Sequence, residues 1–176
     1  MADDIRFEPE VVLRSLNKHA VRYVLIGGYA AVLHGSPTVT LDADICAARD
    51  EENLERLAQA LKAVHARIRT APDPEGIPLL LDGAFLAKIT MMNFVTDGGA
   101  FDLSFTPAAF PSGYDAFAKD AVSYDIDGLI VPVASLENII TSKRAAGRPK
   151  DLAVLPILEA LQDEIADRER QNPRHS

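Results

Sequence analysis

A single cysteine, Cys46, stands in 176 residues. It excludes an intrachain disulfide and fits a reducing compartment. No run approaches the roughly 18 consecutive apolar residues that a bilayer-spanning helix requires. Met1 to Glu10 carries acids in place of a long apolar stretch and does not read as a signal peptide, so the expected address is the cytoplasm. Basic residues are outnumbered, 18 against 26, for a net charge of -8. That balance argues against a protein that coats nucleic acid non-specifically, because such binding depends on neutralising phosphates. Internal repeats and low-complexity segments are also lacking. What is present is 48% hydrophobic and 25% charged, an ordinary globular share. It suffices for one sizeable core, or one domain with a helical annex.

Periodicity predicts a mixed α/β body with a helical C-terminal third. Phe7-Glu8-Pro9-Glu10 reads as a helix start, with the helix running to about Lys18. Val21 to Ile26 is a short strand, broken by Gly27-Gly28 and followed by a helix from Tyr29 to His34. Val39 to Ala47 reads as the next strand, and Asp50 caps a helix from Glu51 to about His65. Pro72 to Pro78 is a loop, and Leu79 to Leu81 carries no clear assignment. Lys88 to Thr96 and Ala100 to Phe105 read as paired strands around Asp97-Gly98-Gly99. Tyr114 to Ala121 is a helix, and Asp125 to Gly128 is a turn into a strand over Leu129 to Val133. Ser135 caps a helix through Ala146, and Pro149 opens a last helix to about Arg168. Gln171 to Ser176 reads as a frayed tail.

A period of two over the second strand turns Leu41, Ala43 and Ile45 to one side, and Asp42, Asp44 and Cys46 to the other. Two carboxylates so close repel unless something offsets them, and hard oxygens suit Mg²⁺ or Mn²⁺. On the later strand, Phe101, Leu103 and Phe105 face the core while Asp102 faces away. If the strands are neighbours, Asp102 joins Asp42 and Asp44 in a three-carboxylate cluster able to hold the metals of phosphoryl-type transfer. An isolated Asp-x-Asp more often marks a solvated strand face. Apolar flanks, Cys46 and the preceding glycine pair weigh toward the site.

Gly27-Gly28, between a strand and a helix, can present backbone N–H groups to a polyphosphate, or can be only a tight turn. His34, at the far end of that helix, is more often a cap or a packed side chain than a base. The run Lys143 to Asp151 is basic; folding back at Gly147-Arg148-Pro149 would gather Lys143, Arg148 and Asp151 for a triphosphate. A solvated helix corner is its ordinary alternative.

Gly27-Gly28, Asp42-Ala43-Asp44 and Asp102, in this order and spacing, resemble the signature of the DNA polymerase β-type nucleotidyltransferase superfamily. Ile26 to Ala31, His34-Gly35 and Ser142 to Asp151 further resemble the AbiEii-like group, which includes MenT-like toxins of type IV toxin–antitoxin pairs. The likeness runs from about Val21 to Leu161. It implies a nucleotidyltransferase fold, α/β (α+β), with a mixed central sheet flanked by helices. Residues 1–134 would form the core, 135–170 a helical segment packed on it, and 171–176 a tail.

The resemblance also implies roles. Asp42, Asp44 and Asp102 would bind Mg²⁺ or Mn²⁺, with Asp102 helping to activate the acceptor. Gly27 and Gly28 would contact the NTP through their backbone, Lys143 and Arg148 would bind its phosphates, and Asp151 would position those cations. Lys143 stands with the three acids as the catalytic set. The acceptor implied is the 3′ end of tRNA, with a cognate antitoxin as partner and pyrimidine NTPs favoured. Relatives often carry basic residues near Thr38 and Leu41, and both are uncharged here. Transfer to a protein or small-molecule hydroxyl, such as that of an aminoglycoside, and a non-catalytic scaffold or antitoxin are the other readings.

Overall fold

The computed structural model describes residues 6–172. Residues 1–5 and 173–176, which include part of the expected N-terminal stretch and tail, lie outside it. Helix α1 (Pro9–Lys18) leads to strand β1 (Tyr23–Ile26), helix α2 (Gly27–Leu33), strand β2 (Asp42–Ala47) and helix α3 (Glu51–Ala63). Strand β3 (Arg67–Ile68) and helix α4 (Gly83–Leu86) precede the hairpin of β4 (Met91–Thr96) and β5 (Gly99–Ser104). Helix α5 (Tyr114–Ala118), strands β6 (Val122–Ile126) and β7 (Leu129–Val133), and helices α6 (Leu136–Ala146) and α7 (Pro149–Gln171) follow.

The strands form one mixed sheet in the order β3-β4-β5-β2-β1-β7-β6. The parallel β2–β5 pair sets the site, because it places Asp44 opposite Asp102 and Ala43 opposite Phe101. Alternation then sends Ala43, Ile45, Phe101 and Leu103 into the core, each no more than 1% exposed. The aspartates emerge on the opposite face, half-buried. Helix α1 packs on α3, where the Ser15 hydroxyl donates to the Ala60 carbonyl at 2.8 Å.

Capping follows the sequence closely. The Asp50 carboxylate accepts from the Asn53 amide at 3.1 Å, and the Ser135 hydroxyl accepts from the Asn138 amide at 3.2 Å. Pro149 opens α7, and the left-handed Gly147 (φ 63°) ends α6. Helices α6 and α7 pack together around that corner.

The strand expected from Lys88 begins at Met91, the helix expected to Ala121 ends at Ala118, and three further expectations are corrected. Helix α2 begins at Gly27 itself, not at Tyr29. Strand β2 begins only at Asp42, and residues 37–41 are loop, with Val39 88% exposed and no partner strand to order it. The segment before Leu129 is a strand, β6, and its turn is confined to Asp127-Gly128. Val122-Ser123-Tyr124-Asp125-Ile126 does alternate, with Tyr124 and Ile126 half-buried on one face; the turn residues Asp125 to Gly128 draw the reading away from it. Strand β3 and helix α4 were not anticipated; each is too short to impose a period.

Candidate active site

Asp44 is the centre of the cleft. Strand pairing sets it beside Ile26 of β1 on one flank and Asp102 of β5 on the other. The chain turns directly from β1 into α2 at Gly27, whose φ of +71° suits glycine. A Cβ there would stand 2.4 Å from the Asp44 Oδ2, so only glycine lets the backbone lie against this carboxylate. Asp42 is oriented by Thr40, whose hydroxyl donates to its Oδ1 at 3.0 Å.

Burial pushes the Asp44 carboxyl up to about 7, and the charges of Asp42 and Asp102 add to the rise. Lys143 and Lys150 pull it the other way. Burial also raises the Asp102 carboxyl, against the opposing pull of Arg69. Burial dominates both shifts and repulsion among the acids adds to the Asp44 one, so a bound cation would favour the charged forms. Oxygen-only donors fit Mg²⁺ or Mn²⁺.

One contact works against that fit. The Arg69 Nη2 donates to Asp102 Oδ1 at 2.9 Å. Among the described residues, no three His, Cys, Asp or Glu side chains are gathered closely enough to hold a metal ion. Asp42, Asp44 and Asp102 line the same two cavities, and Arg69 occupies Asp102 Oδ1 alone, which leaves Oδ2 without that contact.

The α6–α7 corner faces the acids. Asp151 is 2% exposed; its Oδ2 accepts from Arg148 Nε at 2.5 Å, and Lys143 Nζ lies 3.5 Å from its Oδ1. The fold therefore does gather Lys143, Arg148 and Asp151. Lys150 lines both cavities beside them. The first cavity, about 390 Å³, lies against Gly27, Gly28 and residues 38–41, so the uncharged Thr38 and Leu41 are part of its wall. The second, about 500 Å³, opens toward β4 and β5 over Asn93, Ser104 and Thr106. Both meet at the three aspartates.

His34 lies outside both cavities. Its Nε2 bonds to the Ala134 carbonyl at 2.8 Å and its Nδ1 to the Tyr124 hydroxyl at 2.9 Å. With both ring nitrogens engaged, it ties α2 to β6 and β7 and takes no part in the cleft. Sequence reasoning missed Arg69, Asn93 and the Thr40 contact. Register alone could have found Asn93, which pairs with Asp102 across the hairpin.

A family model described as aminoglycoside-2''-adenylyltransferase matches residues 10–153. The chain belongs to the aminoglycoside-2''-adenylyltransferase family. Solved structures agree on the fold. The lincosamide antibiotic adenylyltransferase LnuA, with lincomycin bound, superposes with a TM-score of 0.58 at 16% identity, over 88% of this chain and 96% of that one. The antibiotic-resistance factor ANT(2'')-Ia in solution gives 0.54 at 14% identity, over 95% of this chain and 94% of that one. Its complex with adenylyl-2''-tobramycin gives 0.53 at 16% identity, over 91% and 95%. No curated protein is significantly similar in sequence. By family and fold the chain is a nucleotidyltransferase. Among the described residues, no helix is long and apolar enough to cross a membrane.

Proposed function

We propose that this chain moves a nucleoside monophosphate, AMP by its family, from an NTP to a hydroxyl of a small-molecule acceptor. The observation that carries the reading is the meeting of two cavities at three aspartates, one walled by glycines and cations, the other open over the β4–β5 hairpin. A volume near 500 Å³ suits a small molecule better than a macromolecular surface. The cytoplasm, where NTP is found, is the setting this chemistry needs.

Asp42 and Asp44 would hold Mg²⁺ or Mn²⁺, with Asp102 completing the set. The metal, when bound, offsets charge on the attacking and leaving oxygens. Lys143 and Arg148 bind the phosphates, held in place by Asp151, while the Gly27 and Gly28 backbone closes the other side. Asp102 takes the proton of the acceptor hydroxyl. The acceptor oxygen bonds to the α-phosphorus as its bond to pyrophosphate breaks. The division at residue 134 thus separates jobs: the sheet core supplies acids and the helical segment supplies cations.

The resemblance of Ser142 to Asp151 to AbiEii-like and MenT-like toxins supports a second reading. In it the acceptor is the 3′ end of tRNA and an antitoxin is the partner. An acceptor matrix separates the two. The protein is incubated with Mg²⁺ and each α-labelled NTP, together with total RNA, protein extract and a small-molecule panel that includes aminoglycosides. Label in the small-molecule fraction supports the leading reading, and label only on RNA selects the toxin. Asp44→Ala should reduce transfer by about 10³-fold; undiminished transfer would remove the metal site. A scaffold or antitoxin would show no Mg²⁺-dependent NTP binding by calorimetry.

A further inference from the structure

Asn93 stands in the middle of β4, against the residue preferences of strands, in which asparagine is depleted. Its backbone is held from both sides. Register sets it opposite Asp102 of β5, and on the β3 side its carbonyl accepts from the Arg69 amide at 2.9 Å. Its side chain lines the larger cavity, on the face that carries Asp102. Among the described residues, the Asn93 carboxamide has no hydrogen-bond partner, yet the only buried side-chain polar atoms without one are Arg69 Nε and Asn138 Nδ2. The carboxamide is therefore open to the cavity. Ser104, beside Asp102 on the same face, also lines it, and so does Met91, two residues along the strand and 62% exposed.

Uncharged hydrogen-bonding groups next to an apolar surface suit a sugar ring, which has hydroxyls and amines at its edge and C–H groups on its face. A carboxamide both donates and accepts, so it can pair with a hydroxyl or with an ammonium group. Directly opposed cross-strand residues hold their Cβ atoms about 5 Å apart. Two adjacent substituents of one ring can bridge that gap. A ring whose hydroxyl gives its proton to Asp102 then presents its next substituent to Asn93.

Resting on the transferase reading above, we infer that Asn93 is a specificity-determining residue of the acceptor side, and that its carboxamide binds the hydroxyl or ammonium group on the carbon next to the reacting hydroxyl. Met91 supports the face of the ring. Held at two adjacent positions, the ring can offer only one hydroxyl to the α-phosphorus, so Asn93 decides which one is modified. Aminoglycosides carry amines and hydroxyls on adjacent carbons and meet this requirement.

The test is a cycle between protein and acceptor. The protein is given Mg²⁺ and ATP with tobramycin, lincomycin or methyl α-glucoside, and the modified position on the best acceptor is located by NMR. Native protein and Asn93→Leu are then compared by kcat/KM on that acceptor and on its analogue with hydrogen in place of the neighbouring polar group. For the native protein the analogue should be poorer by about tenfold. For Asn93→Leu the two should agree within about twofold, with KM for ATP unchanged and a second hydroxyl now modified. Asn93→Gln, which keeps the carboxamide, should restore part of the native preference. An equal penalty in the native protein and Asn93→Leu overturns the assignment, as does a raised KM for ATP in Asn93→Leu, which would move Asn93 to the nucleotide. Failure of the native protein to bind a non-hydrolysable ATP analogue, or to transfer from ATP, sinks the transferase reading instead. Calorimetry with the three acceptors then decides Asn93: binding lost in Asn93→Leu supports it, while binding that survives, or native protein that binds none of the three, overturns it.

Discussion

The two flanks of the aspartate cluster hold their cations in opposite ways. On the helical flank, Lys143 and Arg148 share Asp151, a buried acid that belongs to the same corner and is 2% exposed. On the sheet flank, Arg69 has no acid of its own and pairs with Asp102, a member of the cluster. A cation with a dedicated counter-ion keeps its place whatever fills the cleft. One that borrows from the cluster competes, through a single carboxylate oxygen, with whatever else the cluster binds.

The comparison breaks most visibly at Lys143. Replacing it with Met should lower kcat/KM for the NTP by about 10²-fold with little change in Tm. A loss under about threefold would show that the helical flank does not bear on the phosphates. Next comes the dedicated counter-ion. Asp151→Asn should cost about 1–3 kcal/mol at neutral pH by urea unfolding, since it leaves two cations without their partner. Burial works against the Asp151 charge, but the bonds from Arg148 and Lys143 prevail and hold the carboxyl below its ordinary value. Such a group stabilises the fold above its unfolded pKa, near ~3.9, and loses that contribution as pH falls through the lower folded value. The gap between native protein and variant should therefore stay constant from about pH 8 to pH 5 and close in acid below about pH 4. A gap that widens in acid would contradict the pairing. The smallest effect should come from Arg69→Met without nucleotide. With the competing cation gone from Asp102, Mn²⁺ affinity followed by electron paramagnetic resonance should rise by about threefold to tenfold. A weaker affinity would mean that Arg69 supports the cluster rather than competing for it.

Much of the candidate site's layout was readable because strands expose their period. Alternation at Asp42, Asp44 and Asp102 named three residues that face together once the strands pair. Proline and glycine at 147–149 announced the corner that gathers Lys143, Arg148 and Asp151. Arg69 was unreadable for an opposite reason. It follows a strand of two residues, before a loop rich in proline and charge, and its partner lies 33 positions away. The family came from the match over residues 10–153, which placed the chain among adenylyltransferases where motif likeness alone had pointed toward toxins.

The sequence by itself determined the helices capped by Asp50 and Ser135, the hairpin around Asp97-Gly98, the glycine at which β1 turns into α2, and the sidedness of the acids. These rest on local rules that act within a few residues. Only the tertiary structure decided that β2 lies beside β5 in parallel, with Asp44 opposite Asp102. It also decided that Gly27 touches the Asp44 carboxylate and that Arg69 reaches across a strand to Asp102. Each of these depends on which strands become neighbours, a choice made by burying one shared apolar face and invisible to any local pattern.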